Sequence, residues 1–191
     1  FQLRDAYADM SLDKGKVHRF RVGQSKVPFG FENLQSSQNR LTLDRADALN
    51  SGVRDERDTG VFYYYTPADT QKMFSDISKA GLKHSGNYGM FGFGVYNGQG
   101  SNRRDLNDDL HVVSRFTYPL QAASGQFYEF GVQGYSGKFV PTTGAFRPTA
   151  TGASATVSNP SSDSRLREGF KDERVALTAV MYPQPFGFQA E

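Results

Sequence analysis

Three observations predict an all-β fold: an antiparallel up-and-down transmembrane β-barrel fragment. Apolar and polar residues alternate along about eight stretches of strand length, the pattern of a sheet with one apolar and one polar face. The mean hydropathy is −0.58, and no run approaches the ~18 apolar residues of a spanning helix. Yet 14% of the 191 residues are aromatic, 16 Phe and 10 Tyr, beside 20 Gly. Only alternate residues of a barrel strand face lipid, so low hydropathy excludes helical spans without excluding a membrane.

The strands follow in order. Ala6, Ala8, Met10 and Leu12 alternate with Asp5, Tyr7 and Asp9. Beyond the polar turn 13–16, Phe20 and Val22 alternate with Arg19 and Arg21. Val61, Tyr63 and Tyr65 open a third strand, whose faces Phe62 and Tyr64 blur. A fourth spans 87–97, with Phe91, Phe93 and Val95 against Gly92, Gly94 and Tyr96. In the fifth, Leu110, Val112, Phe116 and Tyr118 oppose His111, Arg115 and Thr117. In the sixth, Tyr128, Phe130 and Val132 oppose Glu129, Gly131, Gln133 and Tyr135. In the seventh, Val175, Leu177, Ala179 and Met181 oppose Arg174 and Thr178, and an eighth begins near Phe186. These spans of roughly nine to eleven residues suit a tilted strand crossing a bilayer.

Short connections (13–16, 120–125, 183–185) alternate with long ones (29–58, 98–109, 137–172), as turns and loops do at opposite rims of such barrels. The stretch 66–86 sits in a turn position but is long, and a short helix is expected over 69–80. Segment 137–172 contains a Thr/Ser/Ala-rich run of low complexity and is expected to be an extracellular loop. Phe1 opens inside a strand pattern that is still running at 187–191, so both ends are expected to be truncations of a longer protein.

A soluble β-sandwich also alternates. Against it, the faces opposite the apolar stripes carry Arg19, Arg21, Arg115 and Arg174, awkward in a dry core. Tyr118 and Tyr128 stand at strand ends, where interfacial aromatic girdles sit. If the apolar stripes face lipid, those four arginines face the lumen, where guanidinium groups attract anions and bond oxyanions bidentately. The alternative is that each pairs with an acid such as Asp5, Asp9, Glu129 or an acidic residue of 29–58. The net charge of +2 leaves room for most of them to be paired.

Other chemistry is thin. Cysteine is absent, which removes disulfides, thiolate sites and cysteine nucleophiles. His18, His84 and His111 lack zinc-ligand spacing, and there is no nucleophile elbow or P-loop. His111 and Ser114 fall on opposite faces by parity, so no enzyme is expected, nor any cofactor or metal. Asn107-Asp108-Asp109 reads as a solvated acidic turn rather than a cation site. The charge balance does not suggest a nucleic-acid partner.

Arg21-Val22-Gly23-Gln24-Ser25-Lys26-Val27-Pro28-Phe29-Gly30-Phe31-Glu32 resembles the VGQFKxPFGLE signature of the phosphate-selective porin O and P family. Ser36-Ser37, Asp44-Arg45, Arg57-Asp58-Thr59-Gly60-Val61, Val95-Tyr96-Asn97-Gly98-Gln99-Gly100 and Tyr182-Pro183-Gln184-Pro185-Phe186-Gly187-Phe188-Gln189-Ala190-Glu191 follow in the family's order. The resemblance implies a bacterial outer-membrane barrel of about sixteen strands, assembled as a homotrimer in lipid, with about eight strands present here. Alone, such a half-barrel is expected not to form channels, because its edges are unpaired.

The same resemblance makes 29–58 the candidate constriction loop, carrying Arg40, Arg45, Arg54 and Arg57. Arg45 matches the arginine that phosphate-binding members place at the constriction. Their neighbouring lysine is Asn33 here, which removes a concentrated charge and its donors. The function expected is a passive, anion-favouring diffusion channel for phosphate-like or other small anions. A substrate-specific uptake channel for polyphosphate or an organic acid is the alternative. An adhesin or receptor acting through 137–172 ranks below both.

Overall fold

The computed structural model describes residues 2–39, 41, 45–46, 49, 52–140 and 168–191. They form one antiparallel sheet of eight strands in sequence order: β1 (Ala6–Ser11), β2 (His18–Lys26), β3 (Arg57–Tyr65), β4 (Phe91–Tyr96), β5 (His111–Gln121), β6 (Phe127–Phe139), β7 (Phe170–Met181) and β8 (Phe188–Ala190). Each strand pairs with its sequence neighbour, so the sheet is up-and-down, and among the described residues β1 and β8 do not close on each other. Among the described residues, α1 (Phe31–Leu34) and α2 (Ala68–Lys79) lie in the connections. None of the described helices is long and apolar enough to cross a membrane.

Parity sorts the faces most cleanly on β5. His111, Val113, Arg115, Thr117 and Pro119 are buried, while Val112, Ser114, Phe116 and Tyr118 are exposed. The register carries the exposed set across its neighbours, with Phe116 opposite Val132 and Val132 opposite Leu177. Val22, Val61, Phe93, Phe130 and Val175 extend this exposed apolar surface. A contiguous apolar face of that kind suits lipid rather than water.

The turn 13–16 is fastened by its own aspartate. The Asp13 carboxylate accepts the N–H groups of Val17 (3.0 Å) and His18 (2.8 Å), and these bonds hold its pKa below the usual range. In α2, Thr70, Phe74 and Ile77 recur at helical spacing and bury one stripe. On the other side Asp76 pairs with Lys72 (2.8 Å) and Lys79 (3.2 Å). This is the helix expected over 69–80.

Four boundaries differ from expectation. β3 begins at Arg57, so Arg57 and Asp58 belong to the ladder rather than to the loop, opposite Lys26 and Ser25. β4 begins only at Phe91, because 86–88 makes a 3-10 turn closed by Gly89 at φ 73°. β6 and β7 also continue past the expected ends of the 137–172 loop, pairing Gly137 with Asp172 and Phe139 with Phe170. Glycine and charge suggested a loop there, but a ladder tolerates both when its neighbour continues. Residues 141–167, with the Thr/Ser/Ala-rich run, lie outside the described residues.

The inner face is not uniformly polar, as the barrel pattern had led one to expect. Val27, Phe29, Leu49 and Val53 from the β2–β3 connection pack on Phe62, Tyr64, Tyr96, Val113 and Tyr135 of the wall. That connection therefore folds back over the inner face. The two aromatic faces of β3 now make sense: Phe62 and Tyr64 floor the loop, and Val61 faces outward. The rings lie against neighbouring glycines. A Cβ on Gly94 would come within 2.2 Å of Phe62, and one on Gly92 within 3.3 Å of Tyr64. A second cluster joins Phe31 of α1 to Phe74 and Ile77 of α2 and to Phe127, Val180 and Tyr182 of the wall.

Candidate functional site

The strand arginines point inward, and each has a partner. Arg21 holds Asp9 with a two-pronged contact, Nε–Oδ1 2.8 Å and Nη2–Oδ2 2.9 Å, and its guanidinium lies 3.9 Å from the Tyr7 ring centre. Arg19 shares that carboxylate at 2.8 Å and donates to the carbonyl of Asn87. One acid thus serves two cations. Arg174 contacts Asp172 at 3.2 Å, and the Tyr135 hydroxyl donates to the same carboxylate at 2.8 Å. The pairing alternative, with Asp9 among the expected acids, is what the structure shows for these residues.

Arg115 is 2% exposed. It donates to the Ser85 carbonyl (3.2 Å) and hydroxyl (2.8 Å). The Ser85 hydroxyl in turn bonds the Glu129 carboxylate, which also accepts from Thr117 (2.9 Å) and Tyr182 (2.6 Å). This cluster ties the 66–90 connection to the walls of β5 and β6. Burial and the adjacent Glu129 charge hold the Tyr182 hydroxyl far above the ordinary tyrosine range, so it remains a donor.

The root of the β2–β3 connection carries the densest charge. Lys26 Nζ stands 2.8 Å from Glu56 Oε2 and also donates to the carbonyls of Asn33 (2.6 Å) and Gln35 (2.8 Å). Arg45 contacts Glu56 Oε1, and Arg57 approaches Oε2 at 3.4 Å while gripping Asp5 with both prongs at 3.0 Å. Three cations therefore surround one carboxylate. Local folding aims it: Asp55 and Glu56 both take positive φ, 59° and 66°, which turns the chain sharply before β3 starts.

Gly30 secures the other end of the connection. Its φ is 80°, its N–H donates to Gln133 Oε1 at 3.0 Å, and a Cβ there would meet Leu49 at 3.0 Å.

Among the expected constriction residues, Arg45 and Arg57 come together, while Asn33 does not join them. Its side chain is buried and donates to the Leu49 carbonyl at 3.2 Å; only its main-chain oxygen reaches Lys26. Arg40 lies outside the described residues, as does the side chain of Arg54. Sequence reasoning passed over Lys26, Glu56 and Ser85 as site residues. Lys26 stood inside the longest motif, where it could have been found; nothing local marks Glu56 or Ser85.

The long 97–110 connection is anchored by Asp58, whose carboxylate accepts the N–H groups of Gly98 (2.8 Å) and Gly100 (3.0 Å). Asp109 pairs with Lys138 at 3.0 Å, so the acidic turn is tied to a cation of this chain. No group of three or more metal-ligating side chains gathers among the described residues.

An exposed apolar outer face, a charged inner face and a connection folded back over it are consistent with a piece of a β-barrel wall. No curated protein and no solved structure matches the chain. A family model, phosphate-selective porin O and P, matches residues 1–191. The chain belongs to the phosphate-selective porin O and P family.

Proposed function

We propose that this sheet forms part of the wall of a passive, anion-favouring diffusion channel in the bacterial outer membrane. The observation that carries this reading is the gathering of Lys26, Arg45 and Arg57 around the single carboxylate of Glu56 at the root of the inward-folded connection. Arg19 and Arg21 sharing Asp9 add a second place where two cations gather on one carboxylate. Fixed positive charge along a low-dielectric wall attracts anions and repels cations. Asn33, turned into its own loop, adds no charge, which favours a general preference for small anions over tight phosphate specificity. An open sheet exposes two strand edges that a bilayer does not tolerate, so further strands are needed to close the barrel. Family membership favours a homotrimer of such barrels.

Reversal potentials of the complete barrel in a potassium chloride gradient test this directly. Anion selectivity is expected, and Arg45→Ala should lower the anion-to-cation permeability ratio roughly fivefold, as loss of ~1 kcal/mol of charge interaction implies. Cation selectivity in the unmodified channel overturns the proposal.

A further inference from the structure

We infer that Glu56 is a built-in competitor for the anion site of this channel: its carboxylate occupies the position among Lys26, Arg45 and Arg57 that a mobile oxyanion would take. This rests on the anion-channel reading for its physiological meaning, but the geometry stands apart from it. Both oxygens of Glu56 are engaged, Oε1 by Arg45 and Oε2 by Lys26 and Arg57. An ammonium and two guanidinium groups converging on two oxygens is the arrangement that proteins use to hold carboxylate and phosphate.

The cations do not depend on Glu56 alone for their placement. Lys26 is positioned by the carbonyls of Asn33 and Gln35, and Arg57 by the two-pronged contact with Asp5. Take the Glu56 charge away and Lys26 and Arg57 keep these anchors. All four side chains are close to nine-tenths buried. In so dry a setting, cations stripped of their carboxylate are costly, and an oxyanion from solution relieves that cost.

A tethered carboxylate has a consequence for transport. A passing phosphate or organic carboxylate competes with a ligand held at high effective concentration, so it binds weakly and leaves quickly. Glu56 thereby sets how tightly the channel holds its solute, separately from how strongly the wall attracts anions. The ligand class is an oxyanion with at least two oxygens, whether phosphate or a small carboxylate. Chloride has no such pair and gains less from the vacated geometry.

The test uses the complete barrel in planar bilayers, with chloride carrying the current and inorganic phosphate or acetate added as blocker. Glu56→Gln should lower the half-blocking phosphate concentration roughly tenfold, the gain that one charge-assisted contact brings. Glu56→Asp, which withdraws the carboxylate by one methylene, should give a smaller shift in the same direction. Acetate should follow phosphate if the vacated place accepts any oxyanion; a response to phosphate alone restricts the class to phosphate and still supports the inference. Should Glu56→Gln fail to assemble, Glu56→Asp decides. Unchanged or weaker block in the variant that assembles overturns the inference, as does a change in chloride conductance with no change in oxyanion block. Cation selectivity of the unmodified channel would instead overturn the anion-favouring reading, leaving the block ratio to judge Glu56 by itself.

Discussion

Two buried carboxylates on the inner side of this sheet are held in opposite ways. Glu56 is surrounded by three formal cations. Glu129 is held by the hydroxyls of Ser85, Thr117 and Tyr182, with its cation, Arg115, reached only across Ser85. A carboxylate neutralised by charge can be exchanged for another anion, because the cations remain attractive to whatever replaces it. A carboxylate satisfied by oriented hydroxyls is tied to the geometry of those groups and to the segment that brings them. The first arrangement is suited to binding; the second fixes structure, fastening the 66–90 connection and α2 against β5 and β6.

The largest effect expected from this contrast is at Glu129. Glu129→Ala takes from buried Arg115 the carboxylate it reaches through Ser85 and leaves the Tyr182 hydroxyl without its acceptor, a loss of about 3–5 kcal/mol. Urea unfolding of the complete barrel, followed by its change in electrophoretic mobility, should show this. Adding Arg115→Met should restore much of the stability, and an additive double variant would show that the two residues do not act as a pair.

Ser85→Ala comes next. It removes the hydroxyl linking Arg115 to Glu129 without removing either charge, and should cost about 1–3 kcal/mol in the same assay. Because Ser85 touches nothing at the Glu56 cluster, anion selectivity should stay as it was; a selectivity change would break the division drawn between the two sites.

The smallest effect is a pH response beside the Glu129 cluster. His84 stacks on Phe74 at 4.7 Å, and its Nδ1 accepts the Gly86 N–H at 2.7 Å. Burial lowers its pKa below the ordinary 6.5. The folded state thus prefers neutral imidazole, and the unfolded chain takes up the proton at higher pH. The stability this segment draws from His84 is whole above about pH 6.5 and is lost as pH falls through the folded pKa. Amide exchange over 66–90, corrected for intrinsic rates, should quicken modestly between about pH 6.5 and 5. His84→Gln should remove that dependence; equal acceleration in the variant assigns it elsewhere.

Much of the wall was legible in the sequence, because parity is a strict rule once a strand has one wet and one lipid face. Arg21, Arg115 and Glu129 all fall on the inner side that alternation assigned them. The helix over 68–79 was legible for a similar reason, its apolar positions recurring at helical spacing. Parity fails where a connection folds back over the sheet. Phe62 and Tyr64 looked like noise on β3 because the loop that covers them is distant in sequence. Glu56 was equally hidden: among the acids of 29–58 nothing local distinguishes it, and its importance comes from Lys26, Arg45 and Arg57 meeting there in space. Pairing of the arginines is likewise a matter of which acid lies across the ladder, and composition alone does not decide it.

Gly92 and Gly94 bear on how the β2–β3 connection sits over the inner face. Gly94 leaves the space that the Phe62 ring of β3 fills, and Gly92 stands beside Tyr64 and Arg115. Phe62 and Tyr64 stack within 7° of parallel, side by side beneath the connection. A side chain at Gly94 would displace the Phe62 ring and the connection resting on it, whereas one at Gly92 would press on Arg115 and Tyr64 only lightly. The seat of that connection on the inner face is therefore set in part by residues without charge, and a survey of charged residues would miss them.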